Sequence, residues 1–167
     1  MATMSNQEVA AAFLNCYQKH DYAGMQRLLH PNVEFSDLAF KKSIGPDVHA
    51  MWHWFCVPYD TRKKPIEVPS FEILGFEGDE VTARYEVRYL YGGKREVDYA
   101  IQAFFTLRDG KIVKHRDVSS ISQFAYARMA FGYPTCLLAL TPLFRPLVRS
   151  KAGKKLEQFK RDQNGLY

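Results

Sequence analysis

The clearest pattern in the chain is an alternation of apolar and polar residues between positions 71 and 118. A period of two is that of a β-strand with one buried face. Three turn signals, Glu77-Gly78-Asp79, Gly92-Gly93 and Asp109-Gly110, divide this region into four strands. Short glycine turns join antiparallel neighbours, so the pattern predicts a four-stranded antiparallel meander. A shorter alternation over 33–37 predicts a further strand before it.

Apolar residues recur every three or four positions on both sides of this meander, which is the period of a helix with one buried face. The predicted helices are 5–20, 21–29, 45–55, 123–131 and 146–162. Ser5 and Asp21 are suited to cap the first two helices, and a polar loop with three prolines occupies 58–69. This order predicts an α+β fold in which N-terminal helices cover a curved antiparallel sheet and C-terminal helices follow.

The length of 167 residues fits one domain, and 47% hydrophobic residues supply a core. The three cysteines, Cys16, Cys56 and Cys136, form no CxxC pair, which argues against a disulfide framework or a structural zinc site. The N-terminal sequence has no basic and apolar leader pattern. We therefore expect no signal peptide and a cytoplasmic location.

The net charge of +5 is concentrated in residues 145–162, which contain seven basic and two acidic residues. The rest of the chain is neutral, so the high pI indicates no domain-wide nucleic-acid surface, and no nucleic-acid partner is expected. A basic amphipathic helix can cover the domain or a dimer mate, or it can meet an anionic membrane. The cover is the favoured interpretation.

Strand alternation also predicts which side chains share a face. On the last predicted strand, the two faces are Ile112, Lys114, Arg116 and Val118, and Val113, His115 and Asp117. Because Lys114 and Arg116 are costly to bury without partners, their face is predicted to meet solvent. His115 and Asp117 then point inward. By the same alternation Asp37 lies on an inward face.

Two carboxylates and an imidazole on an otherwise apolar face are suited to acid/base chemistry near neutrality, because burial raises the pKa of a carboxyl group. The hypothesis is that Asp117, His115 and Asp37 are catalytic. The alternative for Asp117 and His115 is a buried structural pair, with Asp117 accepting from Arg88 or a tyrosine. The alternative for Asp37 is a turn or helix-cap role.

Six aromatic residues on predicted inward faces are candidates for a ligand-binding wall, with plain core packing as the alternative. They are Phe13, Tyr17, Trp52, Tyr85, Tyr89 and Tyr99. His49 and His53 have the i, i+4 spacing of a metal pair, but no HExxH motif or third ligand accompanies them, so no metal is expected. Glycine-rich phosphate motifs are also missing, and no cofactor is predicted.

The segments HDYAGMQRLLHPNVEFSD (20–37) and DGKIVKHRDV (109–118), with Gly45 between them, resemble the nuclear transport factor 2-like superfamily. That superfamily includes ketosteroid isomerase, limonene epoxide hydrolase and the SnoaL-like polyketide cyclases. The resemblance covers roughly residues 7–120. It implies a cone-shaped, cystatin-like α+β roll, a pocket between helices and sheet, and commonly a homodimer. It also implies that Asp117 matches the cyclase acid/base aspartate and that Asp37 matches the isomerase general base.

Three positions depart from the patterns that the sequence resembles. Phe13 stands where the isomerase has a tyrosine donor, although Tyr17 follows one turn later. Ala103 falls near the place of the isomerase's protonated aspartate and of the cyclase's histidine. Arg116 replaces the tryptophan usual before the final aspartate. These departures argue against steroid isomerisation and aldol cyclisation by the relatives' own mechanisms.

The sequence therefore predicts a SnoaL-like domain over 1–120 and a helical extension over 121–167 that packs on the domain or on a dimer mate. The first functional hypothesis is a cofactor-free isomerase, cyclase or epoxide hydrolase that acts on a small apolar molecule. The second is a non-catalytic ligand-binding or protein-interaction domain of the same fold. Peripheral membrane association through the basic helix is a third, weaker hypothesis.

Overall fold

The computed structural model of the protein describes residues 4–59, 63–164 and 166–167. Their strands are β1 Leu29–Ser36, β2 Ser43–Ile44, β3 Phe71–Glu77, β4 Glu80–Tyr91, β5 Arg95–Arg108 and β6 Lys111–Ser119. Their helices are α1 Asn6–Gln18, α2 Tyr22–Leu28, α3 Pro46–Cys56, α4 Gln123–Phe131, a 3-10 helix Thr135–Leu140 and α5 Phe144–Asp162. Residues 1–3 of the predicted 1–120 domain, and residues 60–62 of the predicted 58–69 loop, lie outside the described residues.

The strands form one curved, unclosed sheet in the order β2–β1–β6–β5–β4–β3. The predicted meander is confirmed, because β3, β4, β5 and β6 pair antiparallel in succession. β1 lies on the other side of β6 and runs parallel to it, with Phe35 opposite His115. Alternation alone does not specify this parallel pairing. Because the two strands run in the same direction, the chain leaves β1 at the end of the strands where β6 carries its polar residues.

Helices α1 and α3 pack against one face of this sheet. Their buried side chains include Val9, Phe13, Leu14, Tyr17, Val48, Met51 and Trp52. They meet inward residues of the central strands, among them Val81, Ala83, Ile101, Ala103 and Phe105. The same faces were indicated by the helical and strand periods in the sequence, so the α+β fold class is confirmed.

The predicted outward position of Ile112 is wrong, because this side chain is completely buried. The register of β5 with β6 pairs Thr106 with Lys114 but Leu107 with Ile112. Val113 is therefore an extra residue in a β-bulge, and the alternation shifts by one position across it. As a result Ile112 and His115 lie on the same buried face, while Lys114 remains exposed.

The first two helices begin where side chains satisfy their free N–H groups. Glu8 N donates to Ser5 Oγ at 3.3 Å, and Ser5 N donates to Glu8 Oε2 at 2.7 Å, which is a complete capping box. Gly24 N donates to Asp21 Oδ1 at 2.9 Å. Gly45 precedes α3 with φ +55°, and a Cβ there would lie 3.0 Å from the Pro31 carbonyl oxygen, so a larger residue is disfavoured.

The C-terminal segment folds back onto the helices and the sheet. α4 contacts β5, and α5 contacts α3. Phe159 of α5 is completely buried, with its ring 5.4 Å from His53 and 5.0 Å from Tyr59. The helix begins at Phe144, two residues before the predicted start, because Pro146 is tolerated in a first turn. Among the described residues, no helix combines the length and apolarity needed to cross a bilayer.

We predict that Phe159→Ala lowers the free energy of unfolding by about 3–5 kcal/mol, because it leaves a cavity between α5 and α3. The measurement is urea denaturation followed by tryptophan fluorescence. The matched control is Lys154→Ala on the exposed side of the same helix, with an expected change within about 0.5 kcal/mol. Equal unfolding free energies for the two variants would show that α5 does not stabilise the domain.

Candidate active site

A cavity of about 370 Å³ opens between the inner face of the sheet, α3 and the C-terminal segment. Five of the six aromatic residues expected at a ligand-binding wall border it: Tyr17, Trp52, Tyr85, Tyr89 and Tyr99. Asp37 and Asp117 are also part of its wall. A largely apolar hollow with a few convergent polar groups is typical of a small-molecule site.

The structure places Phe13 away from this cavity. Its ring is completely buried and meets the ring of Trp52 at 5.2 Å and that of His115 at 5.7 Å, both edge-on. The helical stripe of α1 was correctly identified as inward. However, period alone cannot separate the residue that reaches the cavity, Tyr17, from one that packs behind it.

Asp117 accepts two hydrogen bonds, one from its own strand, β6, and one from β4, which lies beyond β5 in the sheet. His115 Nε2 lies 2.8 Å from Asp117 Oδ1, and the Tyr85 hydroxyl donates to Oδ2 at 2.5 Å. The antiparallel order β4–β5–β6 brings Tyr85 to this position, because Asp117 pairs with Ala103 of β5 and Tyr85 pairs with Ile101, two residues away on the same strand. Each carboxylate oxygen has a second lone pair, so Asp117 can still accept a proton or a hydrogen bond from a ligand.

His115 is completely buried in a cage of aromatic rings. Its ring stacks on Trp52 at 5.3 Å with an interplanar angle of 10°, and Phe35 and Phe105 contact its other sides. Nδ1 has no hydrogen-bond partner among the described residues, whereas Nε2 faces Asp117. A hydrogen on Nε2 fits this geometry, because a hydrogen on Nδ1 would be a buried donor without an acceptor. His115 thus orients Asp117 from behind the cavity wall.

Asp37 follows β1 and closes a tight turn. Phe40 N donates to Asp37 Oδ1 at 2.5 Å, and Asp37 N donates to the Phe40 carbonyl oxygen at 2.8 Å. Removal from water raises the pKa of the Asp37 carboxyl to about 7. The Phe40 N–H partly opposes this shift, and the negative charge of Asp117 adds to it. Near neutral pH this carboxyl group can therefore hold or release a proton.

Three tyrosine hydroxyls add hydrogen-bonding capacity to the same wall. Tyr89 donates to Tyr126 at 3.3 Å, and the rings of Tyr99 and Tyr126 meet edge-on at 5.9 Å. Burial is the main cause that raises the pKa of all three, that of Tyr126 to about 12. They are therefore neutral hydroxyl groups at physiological pH, able to donate to an oxygen of a ligand.

The sequence left open whether the apolar stretch over 131–147 caps the cavity, and the structure shows that the C-terminal segment borders it. Tyr126, Leu138, Leu147 and Lys151 border it, although they lie outside the region of resemblance. The apolar stretch over 131–147 was the available signal, but a period or a composition does not state which face of the fold a segment covers. Their positions follow from the packing of α4, the 3-10 helix and α5.

The structure identifies the donor to Asp117 and the contacts of His53. Arg88 does not contact Asp117, because its guanidinium pairs with Asp98 at 2.9 Å on the exposed side of the sheet. Of the two donors considered for Asp117, the tyrosine is the one present, since Tyr85 donates to it. Within the described ranges, no group of three or more His, Cys, Asp or Glu side chains could hold a metal ion. His53 instead stacks on Tyr22 at 4.4 Å.

The curved, unclosed sheet, its covering helices and its carboxylate-bearing cavity define a protein of the nuclear transport factor 2-like class, with a cystatin-like fold. The model of the SnoaL-like domain matches residues 10–115. The chain therefore belongs to the SnoaL-like domain family. No curated protein sequence matches this chain significantly.

Solved structures with this fold share little sequence with the chain. A candidate SnoaL-like polyketide cyclase from Jannaschia sp. CCS1 is 16% identical, with TM-score 0.58, over 77% of this chain and 92% of that chain. An LEH-like epoxide hydrolase from M. tuberculosis is 19% identical, with TM-score 0.56, over 84% of this chain and 96% of that chain. A candidate polyketide cyclase from Silicibacter sp. TM1040 is 18% identical, with TM-score 0.59, over 73% and 93%. At these identities the likeness shows the fold alone.

The raised pKa of Asp37 predicts a pH-dependent loss of stability. The carboxyl ionises near its ordinary 3.8 in the unfolded chain but near 7 in the folded protein. Between these two pH values the unfolded chain binds fewer protons than the folded protein. The free energy of unfolding therefore falls as pH rises from about 4 to about 7, and above about pH 7 the contribution of Asp37 no longer changes. Asp37→Asn cannot ionise and keeps the acceptor for Phe40 N–H.

The thermal midpoint of Asp37→Asn minus that of wild type should therefore be roughly 5 °C larger at pH 8 than at pH 5. Differential scanning calorimetry at both pH values measures this change. Asp98→Asn, at an exposed carboxylate, is the control and should follow the wild-type profile. Parallel profiles for wild type and Asp37→Asn would mean that Asp37 is already ionised at pH 5.

Proposed function

We propose that this protein is a cofactor-free acid/base catalyst that moves protons on a small, largely apolar ketone-like molecule. The single observation that carries the proposal is the meeting of Asp37 and Asp117 in the wall of one aromatic cavity. The first has a raised pKa of about 7, and the second is held by His115 and Tyr85. Two carboxyl groups in different environments can divide the roles of acid and base.

The roles follow from the contacts of each group. Asp117 takes a proton from the carbon next to the ligand carbonyl, and the protonated Asp37 donates its proton to the carbonyl oxygen, which yields an enol. In a ketone with a β,γ double bond, return of the Asp117 proton to the γ carbon, and of the enol hydroxyl proton to Asp37, gives the conjugated isomer and restores both groups. Attack of the enol carbon on a second carbonyl of the same molecule would close a ring instead, with the enol proton returning to Asp37 and the proton on Asp117 passing to the new alkoxide. His115 is a positioning residue, because it contacts Asp117 and not the cavity.

The size and lining of the cavity define the class of ligand. A volume of about 370 Å³ lies at the small end of ligand pockets and fits a molecule of one or a few rings. The aromatic wall favours an apolar body, and the hydroxyls of Tyr89, Tyr99 and Tyr126 favour oxygen substituents on it. The cyclase and epoxide hydrolase descriptions of the structural relatives support small-molecule chemistry in this fold.

Asp117→Asn should abolish proton transfer. The assay incubates the protein in D₂O with 2-tetralone and a panel of other cyclic ketones, and mass spectrometry measures deuterium at the carbon next to the carbonyl. For the ketones that bind, we expect the wild-type protein to exchange deuterium faster than buffer alone does. Asp117→Asn should reduce this acceleration of exchange roughly 100-fold. Quenching of the fluorescence of Trp52 and Trp54, which both border the cavity, reports which ketones bind.

The amide of Asp117→Asn can still accept from His115 and meet the Tyr85 hydroxyl, so its thermal midpoint should remain within a few degrees of wild type. Asp98→Asn removes a carboxylate outside the cavity and should keep the wild-type exchange rate. Retention of full exchange by Asp117→Asn would remove the base from the proposal.

A second candidate function is non-catalytic binding of the same class of ligand. It is favoured by Ala103, which lies opposite Asp117 on β5, and by Phe13, which is buried behind the cavity. Neither side chain supplies the hydrogen-bond donor that the isomerase and cyclase resemblances imply. Ketones that quench the tryptophan fluorescence but show no accelerated deuterium exchange would favour binding over catalysis.

A further inference from the structure

Exposed leucines are concentrated beside the mouth of the cavity. Leu140, Leu143 and Leu147 are 71%, 63% and 55% exposed, and Leu137, Leu138 and Tyr133 are also exposed. These six side chains, here called the leucine patch, all lie in the segment between the end of α4 and the second turn of α5. An exposed apolar cluster of this kind is typical of a docking surface, whereas isolated exposed apolar residues are ordinary.

Basic residues continue the leucine patch along α5. Leu143, Leu147 and Lys151 follow one another at intervals of four residues, and Lys154 follows at three more, so they lie along one side of the helix. The opposite side carries the buried Leu156, and the helix contacts α3. Apolar tips beside a row of lysines form the arrangement with which amphipathic helices meet the headgroup and acyl regions of a bilayer.

We propose that the leucine patch and the adjacent lysines dock the protein on an anionic lipid surface. Charge complementarity selects this occupant. The net charge of the whole chain, +5, arises in residues 145–162, and anionic headgroups attract such a segment. A symmetric contact with a second copy through this face would instead bring two copies of the basic segment close together, and their like charges repel. A nucleic acid would leave the exposed leucines without an apolar environment.

The position of the patch relates docking to the cavity. Leu138 and Leu147 belong both to the leucine patch and to the rim of the cavity, and Lys151 lies beside them. Docking through this face directs the opening toward the acyl chains. If the proposed ligand binding is correct, an apolar ligand then enters from the lipid phase. The docking itself requires no catalysis.

The experiment is co-sedimentation of the full chain with vesicles of phosphatidylcholine alone or of phosphatidylcholine and phosphatidylglycerol in equal parts. We expect binding to the anionic vesicles that is roughly tenfold stronger than to the neutral ones and that weakens with added salt. Leu140→Ser combined with Leu143→Ser should reduce it roughly tenfold. Absence of wild-type binding to the anionic vesicles would overturn the proposal.

Phe76→Ser is the apolar control, because Phe76 is 65% exposed on β3, away from the patch. It should bind as wild type does, and an equal loss in this variant would overturn the assignment of the surface. Thermal midpoints of the serine variants should match wild type, since the altered side chains are exposed.

The charge contribution is tested with Lys151→Gln and Lys154→Gln together. The control pair, Lys19→Gln with Lys41→Gln, removes the same charge from exposed positions elsewhere. Only the first pair should weaken binding to the anionic vesicles, and equal effects would overturn the role of α5. Light scattering measures whether the wild-type protein is a dimer. If it is a dimer that the leucine substitutions dissociate, and if it does not bind vesicles, the surface is assigned to a second copy of the chain.

Asp117→Asn separates this proposal from the proposed function. The variant is expected to lose deuterium exchange, yet it should bind vesicles as wild type does. Vesicle binding without exchange in wild type would leave docking intact and overturn only the catalytic proposal.

Discussion

The parallel pairing of β1 with β6 is the constraint on which the candidate site depends. Phe35 lies opposite His115 and Ser36 opposite Arg116, so the next residue of the chain emerges beside Asp117. Parallel strands need a long crossover, and here the intervening chain supplies α3 and the strands β3 to β5. The elements that connect the two strands therefore also build the walls around the two carboxyl groups. A slip of one residue in this pairing would send one of the carboxyl groups to the other face of the sheet.

The polar groups are placed where an apolar fold would ordinarily exclude them. Asp117 has two donors, one from its own strand and one from β4, which compensate for its lost contact with water. The backbone N–H groups of Phe40 and Ala39 lower the pKa of Asp37, but removal from water outweighs them and the pKa rises. The same enclosure that raises the pKa of Asp37 raises those of Tyr89, Tyr99 and Tyr126. One environment thus sets the protonation of several groups at once.

Much of the fold could be predicted from local patterns, because alternation and glycine turns act over a few residues. The inward direction of His115 and Asp117 followed from the cost of burying Lys114 and Arg116. Ile112 was misplaced because a bulge at Val113 has no marker such as glycine or proline. The parallel β1–β6 contact, the position of Phe13 behind the cavity and the fold-back of Tyr126 depend on tertiary packing. A single sequence carries no direct signal for these.

The division of the cavity between two parts of the chain has a consequence for diversity among related proteins. The carboxyl groups stand on the sheet, at β6 and just after β1, whereas much of the rim comes from α4, the 3-10 helix and α5. The SnoaL-like match ends at residue 115, before any of these helices. Substitutions, insertions or replacement of the C-terminal helices can therefore reshape the entrance while the buried polar centre stays as it is. The shape of the entrance and the polar centre can then change independently during evolution.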